Sequence, residues 1–393
     1  MNGEPSLSAL DYHQRTRLIF GAGSLGQLAS VCQELSGTHV LLVTDSGLRR
    51  AGHCEKAARI LTQAGIRCSV FDDVAENPTS EDVRRCAEFA EPLGIDLILG
   101  LGGGSSMDCG KGANFLLTNG GRIHDYKGVR KTRLPMLPMI AIPTTAGTGS
   151  EAQSFAVIAD AETHIKMACG APGAACRAAI LDPELTLTMP AAVTAATGID
   201  AMTHAIESFV STRRNSISQM FARQAWALLA QSFTTVLRQP DNLHARGNMQ
   251  LGAFLAGAAI ENSMLGAAHA AANPLTARFG TTHGHAVGLM MPHVIRWNAD
   301  VVDGLYSELL IAAGWKAHVE SEATAAKVLA DGFTEFLKQA RLPLVLDELS
   351  TQPLSPQTLH ELAEDAAQQW TGTFNPRKMN VESFLALYGG ACT

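Results

Sequence analysis

Four short runs in the first half of the chain constrain the fold most: "THVLLVTD" (38–45), "RCSVFDDV" (67–74), "IDLILGLGG" (95–103) and "PMIAIPTT" (138–145). The first is apolar, β-branched and short, the pattern of a buried parallel strand. Segments of helical character separate the runs. "HCEKAARILTQAG" ends at Gly65, and "TSEDVRRCAEFAEPLG" opens on Thr79, Ser80, Glu81 and Asp82, a strong helix start. Strand and helix alternating in this way predict βαβ units and a parallel sheet.

The pattern changes near residue 185. Beyond it the chain is rich in Ala, Leu and Met, and "SISQMFARQAWALLAQSFTTVL", "ARGNMQLGAFLAGAAI" and "ATAAKVLADGFTEFLKQA" carry apolar residues at helical spacing. Pro190 suits a helix start. These features predict an α/β nucleotide-binding domain with a parallel sheet over 1–187 and an all-helical domain over 188–393, within the reach of a 393-residue chain.

Charge and cysteine usage narrow the partners. The chain has 30 Lys and Arg against 37 Asp and Glu, a net charge of −7, and no basic run, so nucleic acid is an unsuitable partner. Eight cysteines without a C-x-x-C pair suit a reducing cytoplasm. "MNGEPSLSALDYHQRTRL" lacks a basic start followed by an apolar core, and no apolar run reaches membrane-spanning length, so neither a signal peptide nor a membrane partner is expected.

Two glycine clusters compete for a phosphate group. "GAGSLG" (21–26) is a literal G-x-G-x-x-G, but only the short "RLIF" precedes it as a strand. "DLILGLGGGSSMDCGKGANFLL" sets Gly102, Gly103, Gly104 and Ser105 between a strong strand and a helix start. There the backbone can approach a pyrophosphate and the helix end offers free N–H groups. A plain glycine-rich turn is the alternative. A third loop, "AIPTTAGTGSEAQ", holds Thr144, Thr145 and Thr148. Loops at one end of a parallel sheet converge, which favours the second cluster.

The helical half carries a histidine pattern. "GIDAMTHAIES" places Asp200 and His204 one turn apart on one helix face, and His269, His283, His285 and His293 follow. Asp-x-x-x-His plus two further imidazoles suffices for a divalent transition metal. Core histidines satisfied by hydrogen bonds are the alternative; as a group in an apolar sequence, the histidines favour metal.

The ordered motifs "RLIFGAGSLGQL", "VLLVTDSGL", "ENPT", "GLGGGSSMDCGK", "AIPTTAGTGSE", "ATGIDAMTHAIES" and "HGHAVGLMMPHVIRWN" span nearly the whole chain. They resemble the iron-containing (group III) alcohol dehydrogenases of the dehydroquinate synthase-like superfamily. The resemblance implies an active site in a cleft between the two domains. It makes "GAGSLG" a structural turn and Gly102, Gly103, Gly104 and Ser105 the pyrophosphate loop. It puts Asp45 at the adenosine ribose, Asn77, Thr144, Thr145 and Thr148 at the cofactor, and Lys166 near the ribose and nicotinamide. Asp200, His204, His269 and His283 match the family's metal ligands. The implied cofactors are NAD, with NADP as the variant, and Fe(II), with Zn(II), Mn(II) or Co(II) able to occupy the same ligands. The implied substrates are small alcohols or aldehydes, and the implied assembly is a homodimer.

One position departs from the family. Where relatives usually carry a histidine four residues after the third ligand, this chain has Asn273, followed by Pro274. Asn273 is expected either to orient substrate or to cap its helix before the proline. Phe155 and Phe254 are candidates for the pocket wall. The competing functions are a dehydroquinate synthase-type lyase, a maleylacetate reductase-type enzyme, and a relict nucleotide-binding protein.

Overall fold

The computed structural model describes residues 10–163, 165–315, 321–350 and 354–392. Residues 1–9 of the stretch read for targeting signals, and His164 of "HIKMACGAP", lie outside them.

Six strands form one parallel sheet: β1 (Arg17–Phe20), β2 (His39–Val43), β3 (Arg67–Phe71), β4 (Leu97–Gly102), β6 (Met139–Pro143) and β9 (Ala178–Leu181), in the order β1-β9-β6-β4-β2-β3. The four runs singled out from the sequence are β2, β3, β4 and β6. Alternate residues of β2 serve opposite faces, as strand geometry requires. Val40 and Leu42 pack with helices α1 (Leu28–Glu34) and α3 (His53–Gln63). Leu41 and Val43 pack with α4 (Ser80–Ala90) and α5 (Gly104–Asn119). The short α2 (Ser46–Arg50) follows β2. Cover on both faces explains why β4 is apolar along its whole length and β2 from Val40 to Val43.

The sequence reading missed a smaller sheet: β5 (Gly128–Val129), β7 (Phe155–Ala159) and β8 (Lys166–Gly170), in the order β5-β8-β7. It brings Lys166 to the carboxyl edge of the main sheet.

After β9 the chain is helical: α6 (Ala191–Val210), α7 (Ser216–Arg238), α8 (Leu243–Ser263), α9 (Ala267–Phe279), α10 (His283–Asn298), α11 (Leu305–Ala312), α12 (Glu322–Ala340), α13 (Pro356–Ala367) and α14 (Val381–Ala391). Pro190 is the N-cap of α6. The α6 helix is buried from Thr194 to Val210 except Thr197, because its small Ala and Gly positions let neighbours approach on every side. The loop after β6 docks on α8 by backbone contact: a Cβ on Gly149 would lie 2.6 Å from Gly257 Cα. All eight cysteines are free. No single described helix is long and apolar enough to cross a membrane.

Pro274 does not end its helix. The α9 helix continues to Phe279 and closes on Gly280 at φ 62°. The proline removes one N–H from the ladder, and Tyr388 Oη donates to the neighbouring Ala271 carbonyl at 2.7 Å. The expectation that Asn273 caps a helix end is therefore wrong: Asn273 lies inside α9.

Candidate active site

A cleft of about 710 Å³ separates the carboxyl edge of the parallel sheet from α6, α9 and α10. The loops after β2, β4 and β6 open into it because β4 lies between the other two strands in parallel register. Of the sequence-derived site residues, Asp45, Asn77, Gly103, Gly104, Ser105, Thr144, Thr145, Thr148, Lys166, Asp200, His204, His269, Asn273 and His283 all line this cleft.

Gly102 does not. It ends β4 at φ 152°, and a Cβ there would lie 2.3 Å from Ser106 Oγ. Its place is behind the loop, where only glycine lets the strand turn so tightly into α5. Phe155 lines the cleft. Phe254 does not: it is buried on α8 against Ala179 and Leu181, a consequence of that helix packing on the sheet's edge.

On the helical side, donor atoms gather at the Asp200 carboxylate: those of Asp200, His269 and His283 lie within 4.8 Å of one another, and His204 sits against Asp200. Asp200 Oδ1 lies 3.3 Å from His204 Nε2, 3.4 Å from His269 Nε2 and 3.9 Å from His283 Nε2. Asp200 and His204 share a face of α6; α9 and the start of α10 supply His269 and His283. The His204 and His269 rings stack at 4.8 Å. Asp200 Oδ1 and His269 Nε2 are buried without a hydrogen-bond partner. Buried polar atoms are normally satisfied, so orphaned atoms facing one point mark a place for another group. Burial alone would raise the Asp200 carboxyl, but the imidazoles of His204, His269 and His283 outweigh it and hold the group below its ordinary value. Burial would lower His269, yet Glu207 and Asp200 push it up to about 9. Burial and the Lys166 ammonium drive His283 well below its ordinary value. Burial also lowers His204, so a carboxylate held low sits beside two imidazoles that resist protonation. One carboxylate oxygen and three imidazole nitrogens fit a divalent transition metal.

Glu207 is a site residue that sequence reasoning missed. Its Oε2 meets His269 Nδ1 at 2.6 Å, and its Oε1 accepts from Ala268 N at 2.6 Å. The carboxylate fixes the ring so that Nε2 faces the other donors, the usual support for a ligating histidine. The signal was present: Asp200, His204 and Glu207 follow one face of α6 at i, i+4 and i+7.

On the sheet side, the N-terminus of α5 is open. It has no side-chain cap and no acidic residue in its first turn. The helices α2 and α4 are instead capped, by Asp45 and by a Thr79–Asp82 capping box. Free N–H groups at an open helix start, facing a cleft, are an anion site. The "GAGSLG" turn lies elsewhere and already holds an anion: Gly23 N and Leu25 N donate to the Asp182 carboxylate at 3.0 and 3.1 Å.

Other side chains frame the α5 loop. Asn77, at φ 54°, donates its backbone N–H to Ser105 Oγ at 3.3 Å. Asp45 Oδ1 accepts from Gly47 N and Leu48 N at 2.8 and 3.0 Å. Nearby Arg49 is engaged by Asp72 and Glu55. Lys111, fully buried, donates to Ser150 O, Ser150 Oγ, Gln153 O and Phe155 O and so pins the Thr148–Phe155 loop to α5. Asp108 accepts from Ser150 Oγ at 2.6 Å, and burial raises its carboxyl despite Lys111. Burial lowers the Lys166 ammonium against the attraction of Asp200 and Asp108. Neither Lys111 nor Asp108 was separable by sequence from the glycine-rich motif that contains both.

The family profile described as iron-containing alcohol dehydrogenase matches residues 15–183, and that of the Fe-containing alcohol dehydrogenase family, C-terminal, matches 194–392. The chain is 33% identical over 385 residues to 1,3-propanediol dehydrogenase of Klebsiella pneumoniae, covering 98% of this chain and 99% of that one. A crystal structure of 1,3-propanediol oxidoreductase superposes with a TM-score of 0.93 at 32% identity, over 98% of this chain and 100% of that chain. Sulfoacetaldehyde reductase from Bifidobacterium kashiwanohense, in complex with NAD+, superposes with a TM-score of 0.87 at 28% identity, over 98% and 99% of the two chains.

Proposed function

The chain belongs to the iron-containing alcohol dehydrogenase family, and from that premise we propose that it is a metal-dependent, NAD-linked dehydrogenase of small alcohols and reductase of the matching aldehydes. The carrying observation is that one cleft has an open helix N-terminus on one wall and four metal donors gathered at Asp200 on the other.

Asp200, His204, His269 and His283 would hold Fe(II) or a similar divalent cation, and the α5 loop would hold the NAD pyrophosphate. When bound, the cation supplies Lewis acidity toward the substrate oxygen and the nicotinamide accepts hydride. The chain's own residues do the positioning. Glu207 keeps the His269 ring aimed at the donors. Gly103, Gly104 and Ser105 present backbone N–H groups to the phosphates, while Thr144, Thr145 and Thr148 border them. Asp45 Oδ2 meets no donor among the described residues, so it is free to accept from a ribose hydroxyl. The Lys166 ammonium lies between the two walls and favours negative charge on the reacting oxygen. Asn273 offers hydrogen bonds without a titrating proton, so the alcohol's proton leaves to solvent or through a ribose hydroxyl.

The test is His269→Ala. It is expected to lose bound metal, measured by elemental analysis, and to lose turnover, while NAD binding by calorimetry stays near wild type. Full activity in metal-stripped His269→Ala protein contradicts the assignment.

A further inference from the structure

The α9 helix starts without a cap of its own, because its N-cap residue, Gly266, has no side chain. Its first N–H groups still need acceptors. Two side chains from distant parts of the chain supply them. Glu207 Oε1 accepts from Ala268 N at 2.6 Å, and Asn375 Oδ1 accepts from Ala267 N at 3.4 Å. Both crowd the same residue: a Cβ on Gly266 would lie 2.9 Å from Glu207 Oε1 and 3.3 Å from Asn375 Oδ1. Glu207 is also the carboxylate that holds the His269 ring. The start of α9 and the aim of its ligand therefore depend on one pair of acceptors.

Asn375 is 4% exposed and uses its whole amide. Its Oδ1 also accepts from Asn298 Nδ2 at 3.0 Å, and its Nδ2 donates to Asn298 Oδ1 and to the Arg377 carbonyl, each at 2.8 Å. A carboxylate lacks those donors, and an apolar side chain lacks donors and acceptor alike. Asn298 is the last residue of α10, the helix that opens on His283. The carbonyl of the preceding Phe374 accepts from Thr212 N at 2.8 Å and Thr212 Oγ1 at 3.2 Å, just beyond the end of α6. Two consecutive residues thus tie together the exit of α6, the start of α9 and the end of α10. Those three helices carry Asp200, His204, His269 and His283. Apolar packing between helices is non-directional, whereas hydrogen bonds to backbone atoms fix position. A divalent transition metal holds its ligands at about 2.0–2.2 Å, so small slides of one helix against another are felt at the ion.

We propose that Asn375 is a positioning residue for the metal site: by clasping the start of α9 to the end of α10 it fixes the spacing of the donors and slows loss of the cation. The inference rests on the metal-dependent reading and goes beyond it, since Asn375 is no ligand.

The experiment times the loss of iron from the Fe(II)-loaded enzyme to excess EDTA, by elemental analysis of the protein. Asn375→Ala should lose iron about tenfold faster or more, the low end of what removing a residue behind a ligating histidine costs in metal affinity. Gly266→Ala should do the same by pushing the Glu207 and Asn375 oxygens away; its extended backbone suits alanine, so it carries the test if Asn375→Ala does not fold. NAD Kd by calorimetry should stay near wild type in both. Asp182→Ala, which loosens the sheet half instead, should keep iron at the wild-type rate. Wild-type iron retention in folded Asn375→Ala or Gly266→Ala overturns the proposal. So does an equal acceleration in Asp182→Ala, which would mean general loosening. A wild-type protein that takes up no stoichiometric Fe(II) overturns the metal reading itself, and is told apart because then no release can be timed.

Discussion

The turn at residues 21–26 and the turn at 102–105 carry similar glycine patterns and have opposite fates. In the first, the backbone N–H groups of Gly23 and Leu25 bind the carboxylate of Asp182, a residue of this same chain. In the second, the start of α5 carries no cap and faces the cleft. Both are anion sites by geometry. The first satisfies itself and locks β1 to the end of β9; the second leaves its donors for a ligand. A glycine motif therefore reports a conformation, and the occupant decides the role.

The largest expected effect falls on the open turn. A Cβ at Gly104 would lie 2.7 Å from Thr148, so Gly104→Val should displace the loop and weaken NAD binding by about a hundredfold or more, the loss of several hydrogen bonds to a charged group. Calorimetry on folded, metal-loaded protein reads this directly. Retained NAD affinity would move the pyrophosphate elsewhere.

The closed turn predicts the reverse. Asp182 is fully buried and also accepts from Glu184 N at 3.1 Å. Asp182→Ala should cost about 2–4 kcal/mol of stability by leaving three N–H groups unpaired, and should leave NAD Kd unchanged in the folded fraction. A lowered urea midpoint with normal NAD binding sharpens the contrast. Loss of NAD binding at normal stability would break it.

The smallest effect concerns the rim of the open turn. Asp45→Asn keeps the cap of α2 and removes the charge that faces a 2′-phosphate. Arg49 is held by Asp72 and Glu55 and offers that phosphate little. The ratio of kcat/KM for NAD over NADP should exceed one in the wild type and fall by about tenfold in Asp45→Asn, the scale of one charged hydrogen bond. A wild-type preference for NADP would remove Asp45 from cofactor choice.

Much of this was legible in the sequence, for local reasons. The apolar runs of β2 and β4 encode burial on both faces, and Asp200 with His204 encodes a shared helix face. What failed to show depends on distant partners. Asp182 is 159 residues from Gly23 and looks like an ordinary loop acid, so the first motif's occupant was invisible from the motif. Lys166 could be matched by resemblance, but the small sheet that carries it has no strong strand pattern of its own. Gln369 gains its partner only because α9 runs on through Pro274, against proline's local preference, and carries Asn273 to it. Phe254 was misplaced because an apolar residue on a buried helix has several walls to face, and periodicity does not say which.

The central claim is that the open turn and the four donors gathered at Asp200 serve one hydride transfer. The direct measurement uses 1,3-propanediol deuterated at its terminal carbons, NAD and the Fe(II)-loaded enzyme, with the nicotinamide product analysed by mass spectrometry and NMR. The account predicts one deuterium at nicotinamide C4 per aldehyde formed, and none when the metal is removed. Unlabelled NADH, or consumption of the diol without net NAD reduction, would contradict it.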